Sequence, residues 1–160
     1  MLLRERKRDL NLQIGVGNKK GNFSLFARGG ASTLSKIYKK NNSEIININV
    51  DTMSNICKKY IPRGKKINFC KIDVEGEEKN VLLGYDFENY RPEVFCIEST
   101  KPGTMIPCYE LWEEILLKNN YSFAFEYSIN RYYIDNRIKG LRERFDQINK
   151  YIQFFRLFKK

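Results

Sequence analysis

The stretch INFCKIDVEGEEKNVLLG, residues 67–84, ends an apolar run in a cluster of acids. Asp73, Glu75, Glu77 and Glu78 crowd around Gly76 in a chain whose formal net charge is +10. Carboxylates that share one rim raise each other's proton affinity and titrate as a pair. One of them can then act as a general base near neutral pH, or the pair can hold a hard cation such as magnesium. If the strand stays extended through Glu75, alternation puts Lys71, Asp73 and Glu75 on one side and Ile72 and Val74 on the other. A second apolar run, EVFCIE, closes on Glu98. Lys71, Asp73, Glu75 and Glu98 are therefore the candidate catalytic residues, with Lys71 also readable as a structural ion-pair partner. Glu77 and Glu78 read as helix-start and solubility residues, since negative charge complements the dipole of a first turn. No metal-ligand set is assigned.

Composition narrows the chemistry further. The chain has no histidine, which excludes a Ser-His-Asp triad, a Cys-His pair and any histidine-ligated zinc. Cys57, Cys70, Cys96 and Cys108 show no C-x-x-C spacing, and Cys70 and Cys96 lie inside apolar runs. They read as reduced thiols of a cytoplasmic protein. No run approaches the roughly 18 apolar residues of a membrane span, and MLLRERKRDL is too charged for a signal peptide. Basic charge gathers in residues 1–8 and 137–160 and leaves the stretch between nearly neutral. A nucleic-acid reader carries its charge on the reading face, so no nucleic-acid partner is expected.

Several elements must position the acids. LNLQIGVGN (10–18) reads as a strand ending in glycine turns, and GNFSLFARGGAST as a short hairpin strand and a loop. EIININVDTMSNICKKYI reads as a strand followed by a short helix capped by Asp51 or Thr52. KINFCKI is a strand, EGEEKNVLLG a short helix closed by Gly84, and EVFCIE a strand after Pro92. Residues 109–119 read as an amphipathic helix with Leu111, Ile115 and Leu116 on one side. YSFAFEY and RYYIDN pair as a closing hairpin. Strand, helix, strand, helix from 67 to 119 is a βαβα unit and implies a parallel sheet. Ligands of such sheets bind beyond the carboxyl ends of the strands, which is where Asp73 and Glu98 fall.

With these residues in place, a family becomes visible. KINFCKIDVEGEEKNVLLGYD followed by RPEVFCIEST resembles the FkbM-type methyltransferases, whose pattern is a Lys-Ile-Asp-Val-Glu-Gly core, a Leu-Gly helix end and a strand ending in glutamate. INVDTMSNI, GGASTL and LWEEILLKNNYSFAF extend the resemblance across about residues 10–135. It implies a Rossmann-like class I methyltransferase fold, S-adenosylmethionine as cofactor, and O-methylation of a hydroxyl on a sugar, glycan or natural product. By position, Asp73 and Glu75 fall at the acidic motif after the fourth strand, and Glu98 at the end of the fifth. Asn18 and Asp73 fall at cofactor-binding positions.

The family's first strand carries an Asp-x-Gly-x-x-x-Gly loop. Here Gln13 stands where the loop's acid would be, and NFSLFARGG leaves no room for the helix behind it. Gly15, Gly17 and Gly21 read instead as a hairpin turn after the third strand. The expected fold is thus an incomplete α/β domain over residues 1–136, a mostly parallel sheet closed by an antiparallel hairpin, and S-adenosylmethionine binding by this chain alone is expected to be weak or absent. A non-catalytic remnant or interaction module of the same fold is the alternative. Open sheet edges would invite self-association. Residues 137–160 form a basic amphipathic helix with Leu141, Phe145, Ile148, Ile152 and Phe155 at helical spacing. Two readings stand for it: packing on the domain or a partner, or peripheral membrane contact through 141–158.

Overall fold

The computed structural model describes residues 9–28, 31–33 and 44–157. They build two four-stranded sheets and four helices. The first sheet holds β1 (Gly15–Gly17), β2 (Gly21–Arg28), β3 (Ala31–Thr33) and β4 (Glu44–Thr52), in the order β1-β4-β2-β3. The second holds β5 (Ile67–Ile72), β6 (Pro92–Glu98), β7 (Tyr121–Tyr127) and β8 (Asn130–Asp135), in the order β5-β6-β8-β7. Helix α1 (Met53–Tyr60) follows β4, α2 (Glu78–Leu83) follows β5, α3 (Glu113–Lys118) precedes β7, and α4 (Leu141–Leu157) follows β8.

The expectation of one mostly parallel sheet is corrected. Each sheet has a single parallel pairing, β1 with β4 and β5 with β6, and its other pairings are antiparallel. The reason lies in the connections. β5 and β6 are joined through α2, a crossover of the kind that parallel neighbours need, whereas the short turn between β7 and β8 forces an antiparallel return. The glycine stretch is likewise more than a hairpin turn. Gly15 of β1 and Gly21 of β2 both face Val50, so the chain turns over the carboxyl end of β4 and comes back on its other side. Residues 10–14 lie outside the strand. The GGASTL segment and the tail's last three residues fall wholly or partly outside the described residues.

Local chemistry explains the helix ends. The Thr52 hydroxyl accepts the Asn55 backbone N–H at 3.1 Å and caps α1, as its residue type led one to expect. The predicted helix over 109–119 is broken: Tyr109–Leu111 form a 3-10 turn and α3 begins only at Glu113. Trp112 sits at the break, 1% exposed, and burying its large ring sets the register of the segment. Leu111 consequently points outward at 59% exposure while Leu116 is fully buried.

The central strand β6 is covered on both faces, which is why its sequence reads as an unbroken apolar run. Phe95 and Ile97 join Ile72, Leu82, Trp112, Leu116 and Tyr133 in one cluster. Val94 joins Ala124, Phe125, Ile134 and Leu141 in the other. Phe145 and Ile152 of α4 pack against that second cluster, with the Phe125 and Phe145 rings 5.8 Å apart. Ile148 of the same stripe remains 43% exposed. Among the described residues no helix is long and apolar enough to cross a membrane, and all four cysteines are free.

At the end of the sheet away from the acids, Arg91 is clamped. Its Nε and Nη2 donate to the two oxygens of Asp135 at 2.7 and 2.9 Å, and Nη2 also donates to the Asn119 carbonyl at 2.6 Å. The guanidinium lies 4.2 Å from the Tyr121 ring centroid. Burial works to raise the Asp135 carboxyl, but Arg91 and the Arg137 backbone N–H outweigh it and hold it below the usual carboxylate value. A carboxylate depressed in the folded state contributes stability above its unfolded value, roughly pH 4, and loses it as pH falls below that. Asp135→Ala strands a buried guanidinium and should cost about 3–5 kcal/mol in urea unfolding at pH 7. Its stability should also fall less steeply than the parent's between pH 4 and 2.

Candidate functional site

The parallel register pairs Ile72 of β5 with Ile97 of β6. The next residues along the two strands are Asp73 and Glu98, so both acids leave the sheet at the same edge. Lys71 stands two residues back from Asp73, and its Nζ donates to the Asp73 carboxylate at 2.9 Å and to the Asn130 side-chain oxygen at 2.7 Å. Asn130 faces Glu98 from the next strand.

Glu75 arrives by a different route from the extended one expected. The strand stops at Ile72, and Glu75 and Gly76 both adopt positive φ, 54° and 99°. That tight turn doubles the chain back. One oxygen from each of Asp73, Glu75 and Glu98 then lies within 4.8 Å of the others. All four candidate catalytic residues are thus gathered at one sheet edge.

Glu78 corrects the reading of it as a solubility residue. It is 2% exposed, and its Oε1 accepts the backbone N–H groups of Val74 and Gly76, each at 3.2 Å. A side chain on the first turn of α2 therefore ties down the turn that carries Glu75. Burial pushes its carboxyl above the usual value. Its neighbour Glu77 accepts from the Asn80 amide at 2.6 Å. Neither Glu78 nor Asn130 was singled out by sequence. The acid of Glu78 looked like any first-turn acid, and Asn130 is remote in the chain until the sheet order is known.

Electrostatics divide the acids by burial. Glu98 is 5% exposed. Burial, then the hydrogen bond to Asp73 and the charges of Asp73 and Glu75, push its carboxyl up to about 8. Asp73 is also penalised by burial, but its bonds with Lys71 and Glu98 prevail and hold it below the usual value. Near neutral pH, Asp73 is the carboxylate and Glu98 the acid that donates to it. One Glu98 oxygen, Oε2, is buried with no hydrogen-bond partner.

Asn18 lies at a second feature, a groove of about 270 Å³ lined by Asn18, Lys19, Phe23, Glu77 and Asn80. The Asn18 amide donates to the Asn80 side-chain oxygen at 3.1 Å. The groove is held close to α2 by Gly84, where an added methyl would run into the Gly17 carbonyl. Ser54 adds two hydrogen bonds to the Gly84 carbonyl, 3.0 Å from its backbone N–H and 2.7 Å from its hydroxyl. The first turn of α2 thus serves both features, with Glu77 and Asn80 on the groove and Glu78 on the acidic turn.

A family model described as Methyltransferase FkbM domain matches residues 3–150. No curated protein and no solved structure matches the chain significantly.

The proton on Glu98 has a consequence for stability. An acid whose value is raised from roughly 4.3 unfolded to about 8 folded keeps its proton only in the native state between those limits. Stability is therefore lost as pH rises from about 4.3 to about 8 and levels off above. In chelator-treated buffer, urea midpoints should decline across that window. Glu98→Gln, which carries no ionisable proton, should flatten the decline.

Proposed function

Since this chain belongs to the FkbM methyltransferase family, we propose that it takes part in S-adenosylmethionine-dependent O-methylation of a hydroxyl on a sugar, glycan or natural product, on a Rossmann-like scaffold. The observation that carries this reading is the ionised Asp73 held between the Lys71 ammonium and the Glu98 carboxyl at the sheet's carboxyl edge. Methylating an alcohol needs the hydroxyl proton removed as the carbon–oxygen bond forms. Asp73 is the carboxylate placed to take it, and such general-base help is worth about 10²–10⁴ in rate. Lys71 and Glu98 orient that carboxylate, while Glu78 holds the turn that brings Glu75 alongside.

The residues around Asn18 fit the nucleoside end of the cofactor. The amides of Asn18 and Asn80 offer donors and acceptors, and Phe23 offers a ring. When bound, S-adenosylmethionine supplies an electrophilic methyl group. The groove, at about 270 Å³, lies below the roughly 300–1,000 Å³ of complete small-molecule pockets, so it accommodates part of the cofactor and binding by these residues alone should be weak.

Calorimetry with S-adenosylmethionine should show weak binding that Asn18→Ala reduces about fivefold, the worth of roughly one neutral hydrogen bond. With methyl-labelled cofactor and a panel of glycan and natural-product alcohols, Asp73→Asn should cut transfer by about 100-fold and change cofactor affinity less than threefold. The proposal fails if no panel member takes up label and no cofactor binding is measurable. An unchanged rate in Asp73→Asn would reduce Asp73 to a structural role.

A further inference from the structure

We propose that Asp73, Glu75 and Glu98 together form a binding site for a hard divalent cation, of the magnesium, manganese or calcium class. Three oxygens, one from each carboxylate, lie within 4.8 Å of one another. Oxygen is the ligand such cations select. Opposite ligands stand roughly 4.6–5.2 Å apart around calcium and roughly 4.0–4.2 Å apart around magnesium, twice their respective bond lengths. The three oxygens are no farther apart than opposite ligands of calcium, and a small inward movement closes them on a single ion.

Clustered acids alone would not carry this inference, because surface acids gather for many reasons. A separate fact about Glu98 does. The residue as a whole is only 5% exposed, yet Oε2 accepts no hydrogen bond. A buried carboxyl oxygen without a hydrogen-bond partner is costly, and a bound ion is one of the ways in which natural folds satisfy such a group. Three donors beside the acids are committed elsewhere. Lys71 donates to Asp73 and Asn130, and the Val74 and Gly76 amides point to Glu78. Glu78 is thereby turned toward the backbone, and the other three acids converge.

Charge points the same way. The cation would take the place of the proton that Glu98 shares with Asp73, and its two charges would balance the three carboxylates against the single Lys71 ammonium. The Lys71–Asp73 pair is no obstacle: its side chains are 36% and 43% exposed, and exposed pairs of this kind are worth about 1 kcal/mol or less. Water or an acceptor hydroxyl would complete the coordination. The second possibility rests on the methyltransferase reading, since a cation there would polarise the oxygen to be methylated. Binding of the cation itself does not depend on that reading.

The test titrates the full chain with manganese and follows free manganese by electron paramagnetic resonance. One site per chain is expected, emptied by competing calcium or magnesium. Asp73→Asn and Glu98→Gln should each weaken it at least tenfold, while Glu110→Gln, at a solvent-facing acid, should leave it unchanged. Lys71→Met removes the competing ammonium and should tighten binding severalfold. Circular dichroism checks that each variant is folded. If Glu98→Gln or Asp73→Asn does not fold, Lys71→Met decides: tighter binding supports the site, and unchanged or weaker binding overturns it. No binding by the parent, or equal binding by parent and Glu98→Gln, also overturns it. Cofactor binding measured on the same samples separates the two readings. Manganese without cofactor binding keeps the site and sinks the cofactor assignment, and cofactor without manganese does the reverse.

Discussion

The parallel pairing of β5 with β6 is the constraint on which the rest of the molecule depends. Parallel strands run out of the sheet at the same edge, so whatever follows each of them meets there. With Ile72 opposite Ile97, the following residues are Asp73 and Glu98, and two acids 25 positions apart become neighbours. An antiparallel pairing of the same strands would have sent them to opposite edges. The helix between the strands makes the parallel arrangement possible, and it also delivers Glu78 to the turn and Asn80 to the groove.

What holds that pairing is burial from both sides. Phe95 and Ile97 are fully buried on one face of β6, and Val94 packs into the second cluster on the other. At about 25 cal/mol per Å² of apolar surface, a strand covered on both faces gains far more than an edge strand, and slipping its register would exchange the two clusters. The two ends of the sheet then serve different purposes. At one end Arg91 and Asp135 satisfy each other and close off the loops around Asn119 with bonds of 2.6–2.9 Å. At the other, the acids are gathered without full compensation.

The first sheet is attached through a contact that admits no side chain. Gly84 ends α2 against the backbone of Gly17 and Asn18, and Ser54 at the start of α1 hydrogen-bonds to its carbonyl. One glycine therefore joins β1, α1 and α2, and places Asn18 on the groove beside Asn80. The Leu-Gly helix end noted in the sequence acquires its physical meaning here: the glycine is needed for close approach rather than for a turn.

Local order was legible in the chain itself. The apolar runs of β5, β6, β7 and β8, the Thr52 cap, the helix stop at Gly84 and the placement of Asp73 and Glu98 at strand ends all follow from residue type and spacing, which act over a few neighbours. Tertiary structure decided the rest. Glu78 and Glu77 are adjacent acids in one first turn, and only packing buries the former against Val74 and Gly76. Glu75 joins the site through a left-handed turn that no alternation rule foresees, and Asn130 joins it through strand order. The glycine stretch straddles β4 because a partner from residues 44–52 inserts between its arms. Leu111 faces solvent because burying Trp112 set the helix register. Each of these depends on which surfaces meet, a competition among distant contacts that local propensity does not encode.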